Sequence, residues 1–242
     1  MRGRRKLKRR DQRKVNDMHL KRYSIPKYWK LGKKEKVFVV SPRPGPHKKY
    51  ECIPLLVVLR DVLKIFESAK EANTAIKKGE ILVDKNVRKD PNYPVGLMDV
   101  IEIPKIKKYY RVSVDKHGLF LEETSPSQAD KKLCRIQNKR TIKGGITQLN
   151  LHDGRNILTD KNVYRSNDSL LIELPGQKIL KHYKFDKNSP AIVISGKNIG
   201  MKGKVKEIFN RKTMLESNRV VLQTKEGEME TVKEYVLVGE VK

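Results

Sequence analysis

Residue types that could carry catalysis or hold a metal are few in this sequence and poorly spaced for either task. His19, His47, His117, His152 and His182 are scattered, and no His-x-x-x-His or His-Glu-x-x-His pair occurs. Cys52 and Cys134 are the two cysteines, far apart and without the Cys-x-x-Cys spacing of a zinc site or a disulfide framework. His152-Asp153 invites a catalytic or metal reading. Neighbours on a strand point to opposite faces, however, no nucleophile or third ligand stands at a recognised spacing, and Asp153-Gly154 reads as a turn. The glycine-lysine run from Gly196 to Lys204 fails as a nucleotide phosphate loop. Val205 stands where Ser or Thr would meet magnesium, and no helix is expected after it. No cofactor, metal or small-molecule substrate is therefore expected, and the chain is read as a non-enzyme.

The abundant chemistry is cationic. The 242 residues hold 55 Lys and Arg against 28 Asp and Glu, a net charge of +27. A compact fold with that excess repels itself unless it meets an anion, and nucleic acid is the economical partner. An anionic membrane would need an apolar anchor or a large amphipathic face beside the charge, and neither is evident. No run approaches the ~18 apolar residues of a membrane span, and no apolar segment follows the basic N-terminus as in a signal peptide. A reducing, cytoplasmic setting is expected.

The excess is concentrated in residues 1–48, with 18 Lys and Arg against Asp11, Asp17 and Glu35. No sustained apolar period runs through this segment, so a solvated tail competes with an arm that orders on RNA. Tyr23, Tyr28 and Trp29 favour the arm, because rings among cations can stack on unpaired bases while the cations meet phosphates. Pro42, Pro44 and Pro46 suit a chain threading along a defined surface. Whether Tyr28 and Trp29 stack on bases or pack on protein is open at this level.

Residues 53–107 read as a compact α+β unit. Leu55, Leu56, Leu59, Val62, Leu63 and Phe66 follow helical spacing. Ser68-Ala-Lys-Glu71 has capping-box spacing for a second helix with Ala72, Ala75 and Ile76 inside and Gly79 at its end. Strand-like runs follow at 81–83 and 98–103. From Tyr109 to Tyr183 the reading is mostly β, with strands at 110–114, 118–121, 170–174 and 178–180.

Arg60-Asp61, Ala72 to Ile76, Gly79, Ile81, Val83, Pro94, Gly96 and Asp99-Val-Ile together resemble the S-four RNA-binding domain, which is shared by ribosomal proteins and pseudouridine synthases. With Pro42-Arg-Pro-Gly-Pro-His-Lys before it, Tyr93-Pro-Val-Gly-Leu-Met-Asp-Val within it and Leu151-His-Asp-Gly-Arg-Asn156 after it, the chain from about His19 onward is similar to the small-subunit ribosomal protein family S-four, e-type. One departure is Lys85-Asn86 after Asp84, where the family tends to place Gly; Asn tolerates a left-handed backbone, so a hairpin with shifted geometry is expected. The chain stops soon after Gly239 without a long basic extension, which points to an archaeal-type member, with a longer basic start than usual. Pro190 to Phe209 looks like a KOW motif on a small SH3-like barrel.

The resemblance implies an α+β multidomain fold: a basic extended arm (1–48), a small α/β S-four-like domain (49–107), a central β domain (108–184) and a C-terminal SH3-like β barrel, KOW (185–242). It implies a structural constituent of the small ribosomal subunit, bound to the 5′ region of small-subunit rRNA and to neighbouring ribosomal proteins. An S-four-bearing pseudouridine synthase would need a catalytic Asp in a large mixed domain that the short strands after 107 do not suggest. A KOW-bearing transcription factor would not explain the S-four-like segment. The residues expected on RNA are Arg4, Arg5, Arg9, Arg10, Lys21, Arg22, Lys27, Tyr28, Trp29, Arg43, His47 and Lys48 of the arm. In the S-four-like segment they are Arg60, Lys64, Lys70, Lys77, Lys78, Lys85, Arg88 and Lys89, and beyond it Arg155, Lys197, Asn198, Lys202 and Lys204. Removing the basic start should flatten the salt dependence of RNA binding, measured as the slope of log affinity against log salt; an unchanged slope would refute a role for the arm.

Overall fold

Leu20, Ile25 and Trp29 give the arm the apolar anchors that fix its described part to the body. The computed structural model describes residues 20–29, 31–160, 162–211, 213, 216–224 and 227–240. Strands β1 (Leu20–Lys21) and β2 (Phe38–Val39) pair antiparallel, with Leu20 opposite Val39 and Lys21 opposite Phe38. Leu20, Ile25 and Trp29 join one core with residues 53, 55–59, 72, 76, 81, 83 and 95. Trp29 is 1% exposed and its Nε1 donates to the Cys52 carbonyl at 3.1 Å.

Strand β3 (Cys52–Pro54) leads into α1 (Leu55–Val57), which continues as a wider π turn to Val62. The helix expected through Phe66 therefore ends early: Leu63 N donates to Val58 O, and Lys64 adopts a left-handed φ of 52°. The second helix, α2 (Ala69–Lys78), forms as its capping residues direct, with Ser68 Oγ accepting from Glu71 N and Gly79 closing the end. Then come β4 (Leu82–Val83), β5 (Asn86–Val87), β6 (Pro94–Gly96), β7 (Val100–Ile103), β8 (Lys108–Asp115) and β9 (Gly118–Glu123). Among the described residues β6 pairs with β3, and the others form an antiparallel sheet in the order β5-β4-β7-β8-β9. The boundary expected at 107/108 falls inside this sheet, because β7 pairs with β8. The β4–β5 turn survives without glycine, and its left-handed residues are Asp84 and Lys85 rather than Asn86.

A one-turn helix, α3 (Pro126–Ala129), precedes β10 (Lys131–Thr141), β11 (Thr147–Leu151), β12 (Asn156–Thr159), β13 (Ser169–Glu173) and β14 (Ile179–Tyr183). Among the described residues their sheet runs β12-β11-β10-β13-β14, over a core of Cys134, Ile136, Leu149, Leu151, Leu170 and Ile172. The last sheet uses β15 (Pro190–Val193), β16 (Lys202–Phe209), β17 (Arg219–Thr224), β18 (Gly227–Val232) and β19 (Val236–Val238) in the order β18-β17-β16-β15-β19. All pairings in these sheets are antiparallel. No described helix is long and apolar enough to cross a membrane.

Leu97 and Met98 of the β6–β7 turn and Val114 of the first large sheet meet Leu133 from the second and Ile192 and Leu237 from the third in one apolar cluster. Beside it, Lys132 of β10 has a fully buried side chain, with Nζ 2.6 Å from Asp84 Oδ2, 2.6 Å from Asp99 Oδ1 and 3.0 Å from Asp153 Oδ2. Arg155 adds a second cation, 2.8 Å from Asp84 and 3.3 Å from Asp153. His47, from the arm, places Nε2 3.0 Å from Asp99 Oδ2. Backbone N–H groups of Gly96 and Val100 donate to Asp99 and Asp84, so the carboxylates are hydrogen-bonded as well as paired.

Burial alone would raise the Asp99 carboxyl, but Lys132 and then His47 overturn that and hold it far below the usual carboxylate range. Burial opposes the charge on Lys132 too, and Asp99 and Asp84 more than restore it. Burial likewise opposes His47 protonation; Asp99 reverses the shift and raises its pKa. When His47 carries its proton it adds a third cation beside the carboxyl groups of Asp84, Asp99 and Asp153, of which Asp84 is raised by burial and then by Asp99. Removing one member of such a buried set strands the others. Lys132→Met should therefore lower unfolding stability by about 3–5 kcal/mol in urea titration of the full chain, whereas Lys131→Met, one exposed residue earlier, should stay within about 0.5 kcal/mol.

Candidate nucleic-acid interface

The outer face of α2 is the most regular cationic surface of the first unit. Ala72, Ala75 and Ile76 face inward, which turns Lys70, Lys77 and Lys78 outward, all exposed. Lys89 is exposed beside the helix end, where its side chain approaches Gly79. Arg88 is half-buried, its guanidinium 4.6 Å from the centre of the Tyr93 ring. Lys64 is exposed after the π turn. In the C-terminal unit Lys197, Lys202 and Lys204 are exposed around the glycine turn, and Asn198 is partly so. Lys21 and Lys27 point outward from the arm.

Other expected contacts are engaged inside the protein. Arg22 is buried, with Nη2 2.8 Å from Glu35. Trp29 is a core residue, and Tyr28 donates its hydroxyl to the Tyr50 carbonyl at 2.6 Å. Burial pushes that hydroxyl's pKa up, so it remains a donor. His47 and Arg155 belong to the Lys132 cluster. The reading of Arg22, Trp29, His47 and Arg155 as RNA-facing is corrected on that ground: the first three are buried, and the half-buried Arg155 is held by the buried acids Asp84 and Asp153. Lys85 is a partial case, bonded to Glu102 at 3.0 Å and Asp130 at 2.7 Å. Arg60 pairs with Asp61, and Arg43 and Lys48 make exposed pairs with Asp90 and Glu51 that water and salt loosen readily. Arg4, Arg5, Arg9 and Arg10 lie outside the described residues. Because Leu20 and Arg22 are buried, a deletion that tests the arm should stop at residue 18.

The glycine turn of the last sheet also has an internal partner. At Gly200, φ is 83° and a Cβ would lie 2.4 Å from the Asp115 backbone carbon, so the turn lies against the β8–β9 hairpin. Gly96 plays the same part under the arm, where a Cβ would overlap the His47 ring. Both glycines serve close approach within the chain.

Folding brings Cys134, His152 and Asp153 within one ligating distance, a cluster that the spacing of the sequence does not reveal. Its donors are already used. His152 Nδ1 accepts from Arg135 N at 3.2 Å and Nε2 lies 3.3 Å from the Leu97 carbonyl. Burial holds its pKa down to about 4, so the ring is neutral near pH 7. Burial and then Asp153 push the Cys134 thiol well up, while Lys132 and Arg155 hold the Asp153 carboxylate. The cluster is structural.

Sequence reasoning overlooked Lys33, Lys34 and Lys36, which are exposed before β2, and Arg140 and Lys143 at the tip of the long β10–β11 hairpin. Gly144-Gly145 is a turn signal, but without the strands on either side it does not identify a hairpin.

The family description "Ribosomal family S4e" matches residues 106–179, "RS4NT (NUC023) domain" matches 17–50 and "S4 domain" matches 53–101. The small ribosomal subunit protein eS4 of Methanococcus maripaludis strain C5 is 44% identical over 230 residues, covering 91% of this chain and 93% of that protein. That of Methanothermobacter thermautotrophicus is 44% identical over 223 residues, covering 91% of each. The chain belongs to the eS4 family. The crystal structure of the 30S ribosomal protein S4e from Thermoplasma acidophilum is similar, with a TM-score of 0.67 and 28% identity over 78% of this chain and 94% of that one. These relatives are archaeal, as the archaeal-type reading requires.

Within the eS4 frame, the α2 face is the surface to test first. Lys70, Lys77, Lys78 and Lys89 changed together to Gln should reduce the steepness of the salt dependence of RNA binding by up to about 0.7–0.9 for each phosphate no longer neutralised. Thermal unfolding should be nearly unchanged, since all four side chains are exposed; full affinity and an unchanged slope would take this face off the RNA.

Proposed function

We propose that this protein is a non-catalytic structural constituent of the small ribosomal subunit, ribosome-bound in the cytoplasm, where it holds small-subunit rRNA and adjoins neighbouring ribosomal proteins. The observation that carries the reading is the family membership over 91% of the chain, joined to a +27 charge whose lysines stand outside while buried acids consume cations inside. Mechanistically, exposed Lys and Arg displace counterions from the RNA backbone, which yields salt-sensitive affinity. Selectivity then comes from RNA shape and exposed bases, because the A-form major groove admits side chains poorly.

The arm at 1–48, the S-four-like unit, the central β unit and the C-terminal unit act as one body on that RNA in this reading, with the 5′ region as the site. The C-terminal sheet is read as an SH3-like KOW unit. Supporting this are its five antiparallel strands, the core of Ala191, Val193, Val205, Val220, Leu222, Val236 and Val238, and the glycine turn leading into β16. The exposed candidates kept for RNA are Lys21, Lys27, Lys64, Lys70, Lys77, Lys78, Lys89, Lys197, Lys202 and Lys204.

Sucrose-gradient sedimentation of cell extract at low and moderate salt, with fractions probed for this protein, tests the assignment. Co-migration with the small subunit that survives the moderate-salt wash is the expected result. A protein that runs free of ribosomes would overturn it.

A further inference from the structure

The central sheet has a face that neither its core nor the Lys132 cluster uses. Ile136 pairs with Leu151 but Asn138 with Asn150, so Gln137 is an extra residue that turns the rest of β10 over. Register then sets the outward rows. Asn138 stands opposite Asn150, which stands opposite Asn156; two residues along, Arg140 stands opposite Gln148, which stands opposite Leu158. Side chains directly opposite one another share a face. Exposure follows the same alternation: Asn138, Arg140, Asn156 and Leu158 are exposed and Gln148 and Asn150 half-buried, whereas Leu149, Leu151 and Ile157 are core.

Toward the tip, Ile142 N donates to the Ile146 carbonyl at 2.9 Å, and both side chains are exposed, which continues the face beyond Arg140. A Cβ at Gly144 or Gly145 would meet nothing within 4 Å, so the turn stands clear of the rest of the molecule, with Lys143 exposed on it. Gln148 Nε2 donates to Asn150 Oδ1 at 2.9 Å, which leaves an acceptor on the first amide and donors on the second. Among the described residues, the side chains of Asn138, Arg140 and Asn156 have no hydrogen-bond partner within the chain.

None of these side chains is acidic or aromatic, and Asp160 is the exposed acid that follows at the end of β12. Without rings the face has nothing on which unpaired bases could stack. Its amides both donate and accept without charge, as the RNA 2′-hydroxyl does, and Arg140 and Lys143 supply cations beside them. Three strands span about 10 Å, too broad a face for the narrow major groove of A-form RNA but suited to its wide, shallow minor groove. A dry protein partner fits less well, because it would have to pair each amide and Arg140 or leave them buried and unmatched.

We propose that the outer face of β10, β11 and β12 lies on the minor groove of an RNA duplex, with the asparagine row and Gln148 on 2′-hydroxyls and Arg140 and Lys143 on flanking phosphates. This deepens the rRNA-binding reading and rests on it.

The test uses the full chain with an RNA duplex of about twelve base pairs and its 2′-O-methylated counterpart, which keeps the phosphates but has no hydroxyl proton to donate. Wild-type protein should bind the unmodified duplex at least about fivefold more tightly, the equivalent of one hydrogen bond. Asn138→Ala with Asn156→Ala should bring the two affinities within about twofold of each other, with the salt slope unchanged. Arg140→Gln with Lys143→Gln should instead weaken both duplexes alike and lower the slope by about 0.7–0.9 for each phosphate lost. All four side chains are exposed, so thermal unfolding should match wild type, and the comparison of duplexes on wild-type protein needs no variant. No wild-type preference, or a preference that the alanine pair retains, overturns the placement and leaves RNA binding through other lysines intact. A second measurement places a benzophenone on Leu158→Cys, Cys52 and Cys134 being buried. Photo-cross-linking in extract should reach RNA; cross-links to protein alone overturn the placement. Failure of wild-type protein to bind either duplex, together with free sedimentation in the gradient, would overturn the RNA reading and the placement with it.

Discussion

A single buried ammonium ties the molecule together. Lys132 cannot leave its place without abandoning Asp84, Asp99 and Asp153, and those three carboxylates stand in turns beside strands of two different sheets. Its Coulomb attraction acts in a water-poor interior, where it is strong, and the same interior makes any missing partner costly. His47 extends the set into the arm, and Arg155 closes it on the far side. The arm, the S-four-like unit and the central sheet therefore have a defined mutual position, to which an apolar cluster around Leu133 and Leu237 adds the C-terminal sheet.

That arrangement also shapes the outside. Cations spent on internal carboxylates, such as Lys132 and Arg155, are engaged within the chain, and Arg22 is itself buried. Those on α2, in the segment before β2 and around the glycine turn of the last sheet stay exposed. A rigid spacing of cations selects RNA by the path of its backbone, which a flexible polycation cannot do. The glycine turn itself, at Gly200, meets the β8–β9 hairpin of the same chain, so its lysines are presented by a backbone that is already anchored.

Local signals in the sequence were reliable where local physics decides. Ser68 and Gly79 delimited α2 because capping involves only a few neighbouring residues, and the short apolar-rich runs at Val100 to Ile103 and Tyr110 to Val114 marked strands for the same reason. The helix expected to reach Phe66 stopped near Val62, since a π turn and a left-handed Lys64 lead the chain away. Strand β10 escaped notice altogether. Its inward positions include Lys132, and a buried lysine breaks the apolar alternation by which a strand is recognised.

What the sequence determined by itself is the class of partner and the family. A net charge of +27 survives any rearrangement of the chain, and the motifs that carry the resemblance are short and contiguous. The tertiary structure alone decided which of the charged and aromatic residues are buried and which are exposed. His47 and Arg155 look like their exposed counterparts in one dimension, yet their partners lie 52 and 71 positions away, at Asp99 and Asp84. Likewise Trp29 went inside and Phe38 outside, although both stand among lysines. Burial depends on contacts between distant segments, and such contacts leave no periodic or local trace for sequence reading to follow.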